Sequence, residues 1–431
     1  MSLDQRIFTW LGNIQDNPES SATPEQKRPR EDKHTDPIRK RRRVDSPTRE
    51  TSRNLGSSLG PSVSAKRRRY QGASPLAHGS SPADRRAPGH KTTEKETSPE
   101  SSLETITETI HRFRAGIGIL PRSERSAISE LRNVAPYRDW NWAQVKGASD
   151  KHFSAEREDL GDTPDPGTVH KILYQAAFCE NSGASQIDWN TEVIHRLLDV
   201  SLRPTTGWGE SQIVDFRSST TANIIPEYQL QPPNREYSKK ADFCIYVEPS
   251  RDSQQSLLPR IIKALRNTLP QSTLNHVDLN TLQERPIAIS IQTLEQSHAL
   301  HALILHKGDW ISARWNFLET LLSLRREAVV SLARMQRQTS CVPHPYPQLP
   351  EYLFDIIIHG HEWYLVITSS EEGETVLRGV INFGSTSSSK GIYQIVCTLQ
   401  VLKHYVGEVY WPWMRDLLLN WPRKPASART T

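Results

Sequence analysis

KKADFCIYV (residues 239–247) and PIAISIQT (residues 286–293) are the two stretches that decide the fold of this chain. Lys240 to Val247 and Pro286 to Thr293 are each rich in β-branched and aromatic residues, which is typical of buried strands. The acid Asp242 stands near the start of the first strand, and the polar residues Gln292 and Thr293 end the second. The sequence therefore predicts two short buried strands, one of which carries a single acid.

The composition indicates one folded body with a long polar arm. Apolar residues make up 35% of the 431 residues, below the roughly 45–50% of ordinary globular domains, and the deficit lies in the first hundred residues. No run of about eighteen apolar residues exists, which excludes a transmembrane helix, and we expect no secretory signal. The cysteines are widely spaced, which favours buried thiols in a reducing compartment over disulfides or structural zinc.

The first sixteen residues predict a short amphipathic helix, because apolar residues recur at helical spacing. The residues of this stripe are Leu3, Ile7, Trp10, Leu11 and Ile14. A helix this short is marginal alone, so we expect it to dock, on its own domain rather than on a partner. Residues 17–100 are rich in Ser, Pro and charged residues, and they predict a disordered basic arm.

The arm carries a bipartite cluster of basic residues of the kind that nuclear import receptors bind. It consists of Lys27 and Arg28, followed after a spacer by Arg39, Lys40, Arg41, Arg42 and Arg43. A shorter run follows at residues 66–69. These clusters predict a nuclear import receptor as a partner and the nucleus as the location. Contact with DNA or RNA is compatible with the same charges, because Lys and Arg gain affinity by releasing counterions.

Order returns at Ser101, where a capping-box pattern opens a helix. We expect a helical accessory region over residues 101–166, a main domain over 167–421 and a polar tail over 422–431. Within the main domain, helices are predicted over 187–202, 257–269 and 295–335. A three-stranded meander is predicted over 353–383, followed by a helix that begins after the Ser-rich stretch 384–389.

Several motifs of this domain occur together in an order that resembles a known family. They include Trp189-Asn190-x-Glu192, Lys240-Ala241-Asp242-Phe243, Pro286-Ile287-Ala288-Ile289, Gly308-x-Trp310, Gly360-His361-Glu362-Trp363 and Tyr410-Trp411-Pro412-Trp413. From about residue 168 to about 419 the chain resembles the fungal PD-(D/E)XK nuclease-like proteins. The resemblance implies an α/β (α+β) fold of the restriction-endonuclease-like type, with a mixed central sheet flanked by helices.

The resemblance also implies where a catalytic site would lie. In active relatives an Asp and a Glu hold Mg²⁺, and a Lys two residues after the Glu polarises the attacking water. Mg²⁺ prefers oxygen ligands, usually carboxylates with water and phosphate. Here Asp242 is retained, whereas Gln292 stands at the Glu position and Leu294 at the Lys position. The position at which the family has a further acid, on the preceding helix, is occupied here by Gln186. Glu192 is a possible substitute for that acid, as are Asp188 and Glu295.

These substitutions predict a catalytically degenerate protein that binds nucleic acid or a protein partner in the nucleus. One alternative is an active Mg²⁺-dependent nuclease with migrated acids, and another is a protein–protein scaffold without nucleic-acid contact. Mg²⁺ is expected only if the protein is active, with Asp242 as its ligand. No membrane partner is expected, and the sequence leaves the oligomeric state open.

Three other patterns have a functional and a structural interpretation. A zinc site is a weak alternative at the histidines His298, His301, His306, His359 and His361. The Ser-rich stretch 384–389 could hold a phosphate at a helix N-terminus, although capping is the preferred interpretation. Trp411-Pro412-Trp413 could stack on bases, although packing of a helix end is more usual.

Overall fold

The computed structural model describes residues 99–131, 134–144, 150–205, 212–229, 240–253, 255, 257–294, 308–335 and 347–422. The predicted helix of residues 1–16, the basic arm with its import clusters, and His298, His301 and His306 lie outside the described residues. None of the helices in these ranges combines the length and the apolar character that a membrane span requires.

A six-stranded mixed sheet forms the centre of the fold, and its strands lie side by side in chain order. The pairing of β5 with β6 is parallel, and every other pairing in this sheet is antiparallel. The strands are β3 Val214–Ser218, β4 Phe243–Val247, β5 Ile287–Leu294, β6 Leu353–His359, β7 Glu362–Glu371 and β8 Glu374–Ser385. The two-residue strands β1 (Leu120–Pro121) and β2 (Phe153–Ser154) pair with each other, outside this sheet. The mixed sheet and the meander of β6, β7 and β8 confirm the predicted fold class.

Helices cover both faces of this sheet. They are α1 Pro99–Arg114, α2 Arg125–Glu130, α3 Arg157–Leu160, α4 Pro166–Ser182, α5 Gln186–Trp189, α6 His195–Leu202, α7 Leu258–Arg266, α8 Gly308–Met335, α9 Ser389–Tyr405 and α10 Trp411–Leu419. Two π-helical turns, Asn190–Ile194 and Val406–Tyr410, join α5 to α6 and α9 to α10. Short 3₁₀ helices lie at Arg122–Glu124, Ala135–Ala143, Asp150–His152, Pro226–Tyr228, Pro249–Arg251, Pro270–Ser272 and Asn280–Leu282.

Capping residues in the sequence set the two ends of α4. Asp165 caps the N-terminus, because its Oδ1 accepts the backbone N–H groups of Gly167 and Thr168. Gly183 ends the helix with a φ of 60°, a left-handed conformation that glycine adopts at low cost. The chain then turns at once into α5, which brings the start of α5 towards the sheet.

The strands β4 and β5 are fully buried central strands, which accounts for their continuous apolar sequences. Their register pairs Phe243 with Ile291, and β5 pairs with β6 so that Ile291 lies opposite Ile356. The two stretches that decide the fold therefore form neighbouring strands of the sheet.

Side chains of β5 alternate between two differently covered faces of the sheet. One face lies against α6 and α9: the ring of Phe243, which is paired with Ile291, lies near that of His195 in α6. The opposite face lies against α8, where Trp310 Nε1 donates a hydrogen bond to Ser290 Oγ at 3.0 Å. We call these the α9 face and the α8 face.

The segment before α4 packs against α9. Gln394 Nε2 donates to the carbonyl oxygens of Phe113 and Arg114 at the end of α1. Trp142 Nε1 donates to Ser389 Oγ at 2.9 Å. These contacts hold the last turn of α1 and the Trp-rich stretch against the first turns of α9.

Candidate functional site

Asp242 lies at a bend just before β4, and its carboxylate is surrounded by hydrogen-bond donors. Oδ1 accepts from Gln186 Nε2 at 2.7 Å and from Asn190 Nδ2 at 3.0 Å. Oδ2 accepts from the backbone N–H of Thr293 at 2.7 Å. With only 6% of its surface exposed, this carboxylate depends on these three donors to offset its loss of solvation.

The helical donors reach Asp242 because of the spacing and geometry of α5. Gln186 and Asn190 are four residues apart, so their side chains lie on one face of the helix. Asn190 begins the π-helical turn that joins α5 to α6, a local widening that is frequent at functional sites. A capping box between Ser185 and Asp188 fixes the start of α5 and so the position of Gln186.

The third donor is positioned by the sheet. The backbone N–H of Asp242 donates to the carbonyl oxygen of Ile291 at 2.9 Å. This bond extends the β4–β5 ladder to the bend and brings Asp242 beside the end of β5, where Thr293 lies. The site therefore sits where α5, β4 and β5 meet.

A further hydrogen bond closes the network. Thr293 Oγ1 donates to Asn190 Oδ1 at 3.2 Å, while the amide nitrogen of Asn190 donates to Asp242. Both ends of the Asn190 amide thus have partners of the correct kind, and an inverted amide would lose both bonds. The arrangement presents N–H groups, not oxygens, to the carboxylate.

Gln292 and Leu294 point away from this network. Because side chains alternate along a strand, they share a face with Ser290, which binds Trp310 on the α8 face. Thr293 points to the opposite face, towards Asn190. The register thus assigns Ile291 and Thr293, rather than Gln292 and Leu294, to the side of Asp242. Among the described residues, Gln292 Oε1 is buried without a hydrogen-bond partner.

The other candidate acids are engaged elsewhere. Glu192 forms an i,i+4 ion pair with Arg196 at the surface, and Asp188 accepts from Ser185 in the capping box. Glu295 lies outside the described residues. Within the described ranges no group of three or more His, Cys, Asp or Glu side chains is placed to hold a metal ion.

The donor set does not fit Mg²⁺. The ion needs oxygen ligands and commonly one or two carboxylates, whereas the groups that surround Asp242 are two amide nitrogens and a backbone N–H. Each donates a hydrogen atom towards the position where a cation would have to bind. The network is therefore suited to holding a carboxylate in place, not to coordinating a metal.

The two described histidines of the zinc alternative do not converge. His361 Nε2 contacts Glu180 Oε2 at 3.0 Å, and its Nδ1 contacts Thr386 Oγ1 at 2.7 Å. Its ring also lies edge-on to Trp189, with the centroids 5.1 Å apart. His359 ends β6 and its Nε2 is buried without a partner among the described residues. His361 therefore links α4, α5 and the loop after β8.

The Ser-rich stretch caps α9. Ser388 accepts the N–H of Gly391, and the carboxylate of Asp139 accepts the N–H of Ser389 at 2.5 Å. The first turn of α9 therefore already holds an anionic group of the protein itself, which favours the capping interpretation over phosphate. Trp411 likewise packs: it is buried and donates to Asp252 Oδ2 at 2.8 Å.

The register of β5 leads to a prediction about restoring the motif. Gln292→Glu together with Leu294→Lys is expected to lower stability by a few kcal/mol, about 2–4, because both charges enter the buried α8 face. It should not create Mg²⁺ affinity, since neither side chain reaches Asp242. Titration calorimetry with Mg²⁺ and Mn²⁺, beside urea unfolding, measures both effects.

The matched control places the same residues one position earlier on the strand. Ile291→Glu with Thr293→Lys directs them to the side of Asp242. In this background the change in unfolding free energy caused by Asp242→Ala should differ from its value in the wild type, because the new charges lie near Asp242 and couple to it. Metal binding by the Gln292→Glu, Leu294→Lys variant would contradict the register.

Sequence reasoning found Asp242 and Gln186 and missed Asn190 as a partner of the carboxylate. A signal was present, because Asn190 follows Gln186 by four residues, the spacing that places two side chains on one face of a helix, although the predicted helix begins only at residue 187. The one-position shift from Gln292 to Thr293 carried no such signal, since it follows from the bend that precedes β4.

Comparison with known proteins agrees with this architecture. The family model of the PD-(D/E)XK nuclease superfamily matches residues 132–411, and nucleases of this superfamily generally use Mg²⁺. Searches of curated proteins and of solved structures gave no significant match. The matched range is more than half of the chain and includes β3 to β8 with the helices around Asp242. The chain belongs to the PD-(D/E)XK nuclease superfamily.

Proposed function

We propose that this protein is a catalytically degenerate nuclease-like protein that acts by binding nucleic acid in the nucleus. The observation that carries the proposal is the closed network around Asp242. Its carboxylate oxygens are held by Gln186, Asn190 and the backbone of Thr293, which leaves a fold of nuclease type without a magnesium site of the usual kind.

An active enzyme would need acids that have migrated into the pocket. One or two carboxylates that are free to coordinate normally hold the ions that stabilise a phosphoryl transition state, and both oxygens of Asp242 already accept N–H donors. In the part of the chain that the structure describes, Glu192 and Asp188 have other partners, and no group of three or more His, Cys, Asp or Glu side chains is placed to hold a metal ion. These observations favour binding over hydrolysis.

The charge distribution supports the basic arm as the part that contacts nucleic acid. Residues 1–100 hold 20 of the 54 Lys and Arg residues but 13 of the 49 Asp and Glu residues. The remainder of the chain is therefore slightly acidic, and Glu180, Asp188 and Glu192 lie on the helices near Asp242. Phosphates are attracted to clustered cations, so we assign the main affinity to residues 27–43 and 66–69.

The binding prediction uses the full chain with labelled DNA and RNA at a series of salt concentrations. Changing Arg39, Lys40, Arg41, Arg42 and Arg43 to Gln should weaken binding about 10²–10³-fold at low salt and reduce the salt slope by as much as about 4. The control variant has the same net charge as this variant, because it changes five cations outside the two clusters to Gln: Arg49, Arg53, Arg85, Arg86 and Lys91.

Two outcomes would contradict the proposal. Cleavage of plasmid or single-stranded DNA with Mg²⁺ or Mn²⁺, lost in Asp242→Ala, would show an active nuclease. Absence of any nucleic-acid affinity of the full chain at low salt would instead favour the protein–protein scaffold.

The nuclear location is tested in cells by fluorescence microscopy of the tagged full chain. Changing Lys27, Arg28 and residues 39–43 to Ala should shift the protein from the nucleus to the cytoplasm, since an import receptor needs both basic groups of a bipartite cluster. A nuclear signal that is unchanged in this variant would remove the import assignment.

A further inference from the structure

A groove lies between the start of α1 and the helical turn that joins α9 to α10. We call it the aromatic groove, and its apolar lining includes Leu349, Tyr352, Tyr405, Val409, Tyr410 and Trp413. It encloses about 740 Å³, within the range of ligand pockets. Val409, 40% exposed, stands at its edge.

The aromatic rings of this groove are held in place by one another and by α9. The rings of Tyr352 and Tyr405 are stacked with centroids 5.8 Å apart. The rings of Tyr410 and Trp413 lie 6.0 Å apart. Since Tyr405 and Tyr410 are almost fully buried, the groove is a preformed apolar surface whose floor belongs to the core.

The hydroxyl and indole N–H groups of the aromatic side chains in the groove are already paired within the protein. Tyr405 and Tyr410 donate their hydroxyl groups to the carbonyl oxygens of Tyr352 and Ile287. Trp413 Nε1 donates to the carbonyl oxygen of Gln348 at 3.0 Å, and the hydroxyl of Tyr352 pairs with Ser102 Oγ. A polar small molecule would find few unpaired partners here, so the groove suits an occupant that brings apolar side chains.

We infer that the amphipathic segment of residues 3–14 of this same chain is that occupant and docks as a helix in the aromatic groove. Its apolar stripe is Leu3, Ile7, Trp10, Leu11 and Ile14. Twelve helical residues extend about 18 Å, and so short a helix needs an apolar surface to be stable.

The place where the N-terminal part of the chain meets the described body supports this assignment. The helix α1 begins at Pro99, and Ser102 in its first turn lines the groove. The chain that carries residues 3–14 is therefore anchored at the rim of the groove itself. A chain of the length of residues 17–98 would span roughly 50 Å as a random coil, which is long enough for the segment to reach the groove and short enough to keep it near the groove at high effective concentration.

The charges at the rim agree with this occupant. Glu351 and Asp416 line the groove, and of the two charged residues in the segment, Asp4 and Arg6, it is Arg6 that can pair with them. An ion pair at the rim contributes little affinity but selects an orientation. The apolar stripe and the aromatic lining then supply the binding free energy.

Hydrogen exchange of the full chain, read by mass spectrometry, tests the inference. Backbone amides of residues 3–14 should exchange at least about tenfold more slowly than in an unstructured peptide. Val409→Asp should abolish this protection, because it places a charge in the groove. The matched control is Val330→Asp, on α8, where the valine has the same 40% exposure but does not line the groove; this variant should keep the protection.

A reciprocal variant tests whether the effect of Val409→Asp comes from the lost contact or from destabilisation of the folded domain. Ile7→Asp changes only the segment, and it should speed exchange of the amides around Val409 while the rest of the body is unchanged. Unprotected amides in residues 3–14 of the wild type, or protection that Val409→Asp leaves intact, would overturn the inference. Groove amides that stay protected in Ile7→Asp would show a different occupant, and protection lost on dilution would show a second copy; either result also overturns docking within one chain.

Discussion

Arg314→Met is expected to lower the free energy of unfolding by about 3–5 kcal/mol, because it strands a buried carboxylate. Arg314 is 1% exposed and lies in α8 against the centre of the sheet. Its Nη2 pairs with Asp355 Oδ2 at 2.8 Å. The same guanidinium donates to the carbonyl oxygens of Ala288 at 2.7 Å and Phe354 at 3.1 Å, so it connects α8 with both β5 and β6.

The carboxylate of Asp355 is the reason for this large effect. Burial raises its pKa to about 6, against the opposing attraction of Arg314. It is therefore mainly ionised at neutral pH, where its other oxygen accepts the backbone N–H of Ser290 at 3.2 Å. Without Arg314 this charge would either remain unpaired in the core or take up a proton, and both outcomes cost stability. Urea unfolding at pH 7 measures the loss.

Two variants separate the lost ion pair from the lost packing. Arg326→Met makes the same change on an exposed position of α8 and should alter stability by no more than about 0.5 kcal/mol. Adding Asp355→Asn to Arg314→Met should recover part of the loss, since the stranded charge is then absent. A loss below about 1 kcal/mol in Arg314→Met, or no recovery in the double variant, would contradict the account of Arg314 as the partner of a buried charge.

The elements of the fold that the sequence predicted are those that depend on local pattern. The continuous apolar runs of β4 and β5 and the alternation in the meander carry their own signal. The buried Arg314 was not predicted, although a single arginine within the apolar stretch Trp310 to Leu318 is a visible anomaly. Its role depends on Asp355, 41 residues later, and the packing of α8 across the paired strands β5 and β6 brings the two together.

The candidate site was predictable in its centre and not in its geometry. Asp242 follows from its place at the start of a buried strand, and Gln186 from the family resemblance, which implies the position of a further acid on the preceding helix. The choice between Gln292 and Thr293 depends on which face of β5 meets Asp242. Asp242 precedes β4 at a bend, so its side chain does not follow the alternation of the strand. A motif spacing counted along the sequence therefore selects Gln292, whereas the residue of β5 that faces Asp242 is Thr293, one position later.

Asp242→Ala is expected to destabilise the protein by about 2–4 kcal/mol. The substitution removes the acceptor of three donors in a buried site, and each orphaned donor costs roughly 1–3 kcal/mol before water and relaxation reduce the sum. The donors are Gln186 Nε2, Asn190 Nδ2 and the N–H of Thr293. Asn190 would also lose the bond that fixes its amide and, with it, the position of Thr293 Oγ1.

The sign of this stability change distinguishes a carboxylate held by hydrogen-bond donors from a carboxylate that belongs to a metal site. In a metal site without its metal, clustered carboxylates repel one another, so removing one acid relieves repulsion and stabilises the fold. Around Asp242 the neighbours are donors, and the same removal should destabilise. Glu192→Ala is the matched control, because Glu192 is the candidate helix acid and pairs with Arg196 at the surface; its loss should cost no more than about 0.5 kcal/mol.

Thermal unfolding with and without Mg²⁺ completes the test. An ion that binds only the folded state raises its stability in proportion to the logarithm of the ion concentration over the dissociation constant. Because the donors around Asp242 do not fit a cation, Mg²⁺ should shift the unfolding temperature of the wild type and of Asp242→Ala equally. A shift confined to the wild type, together with a gain of stability in Asp242→Ala, would mean that the carboxylate serves a metal after all, and that the amides of Gln186 and Asn190 reorient to present their oxygens.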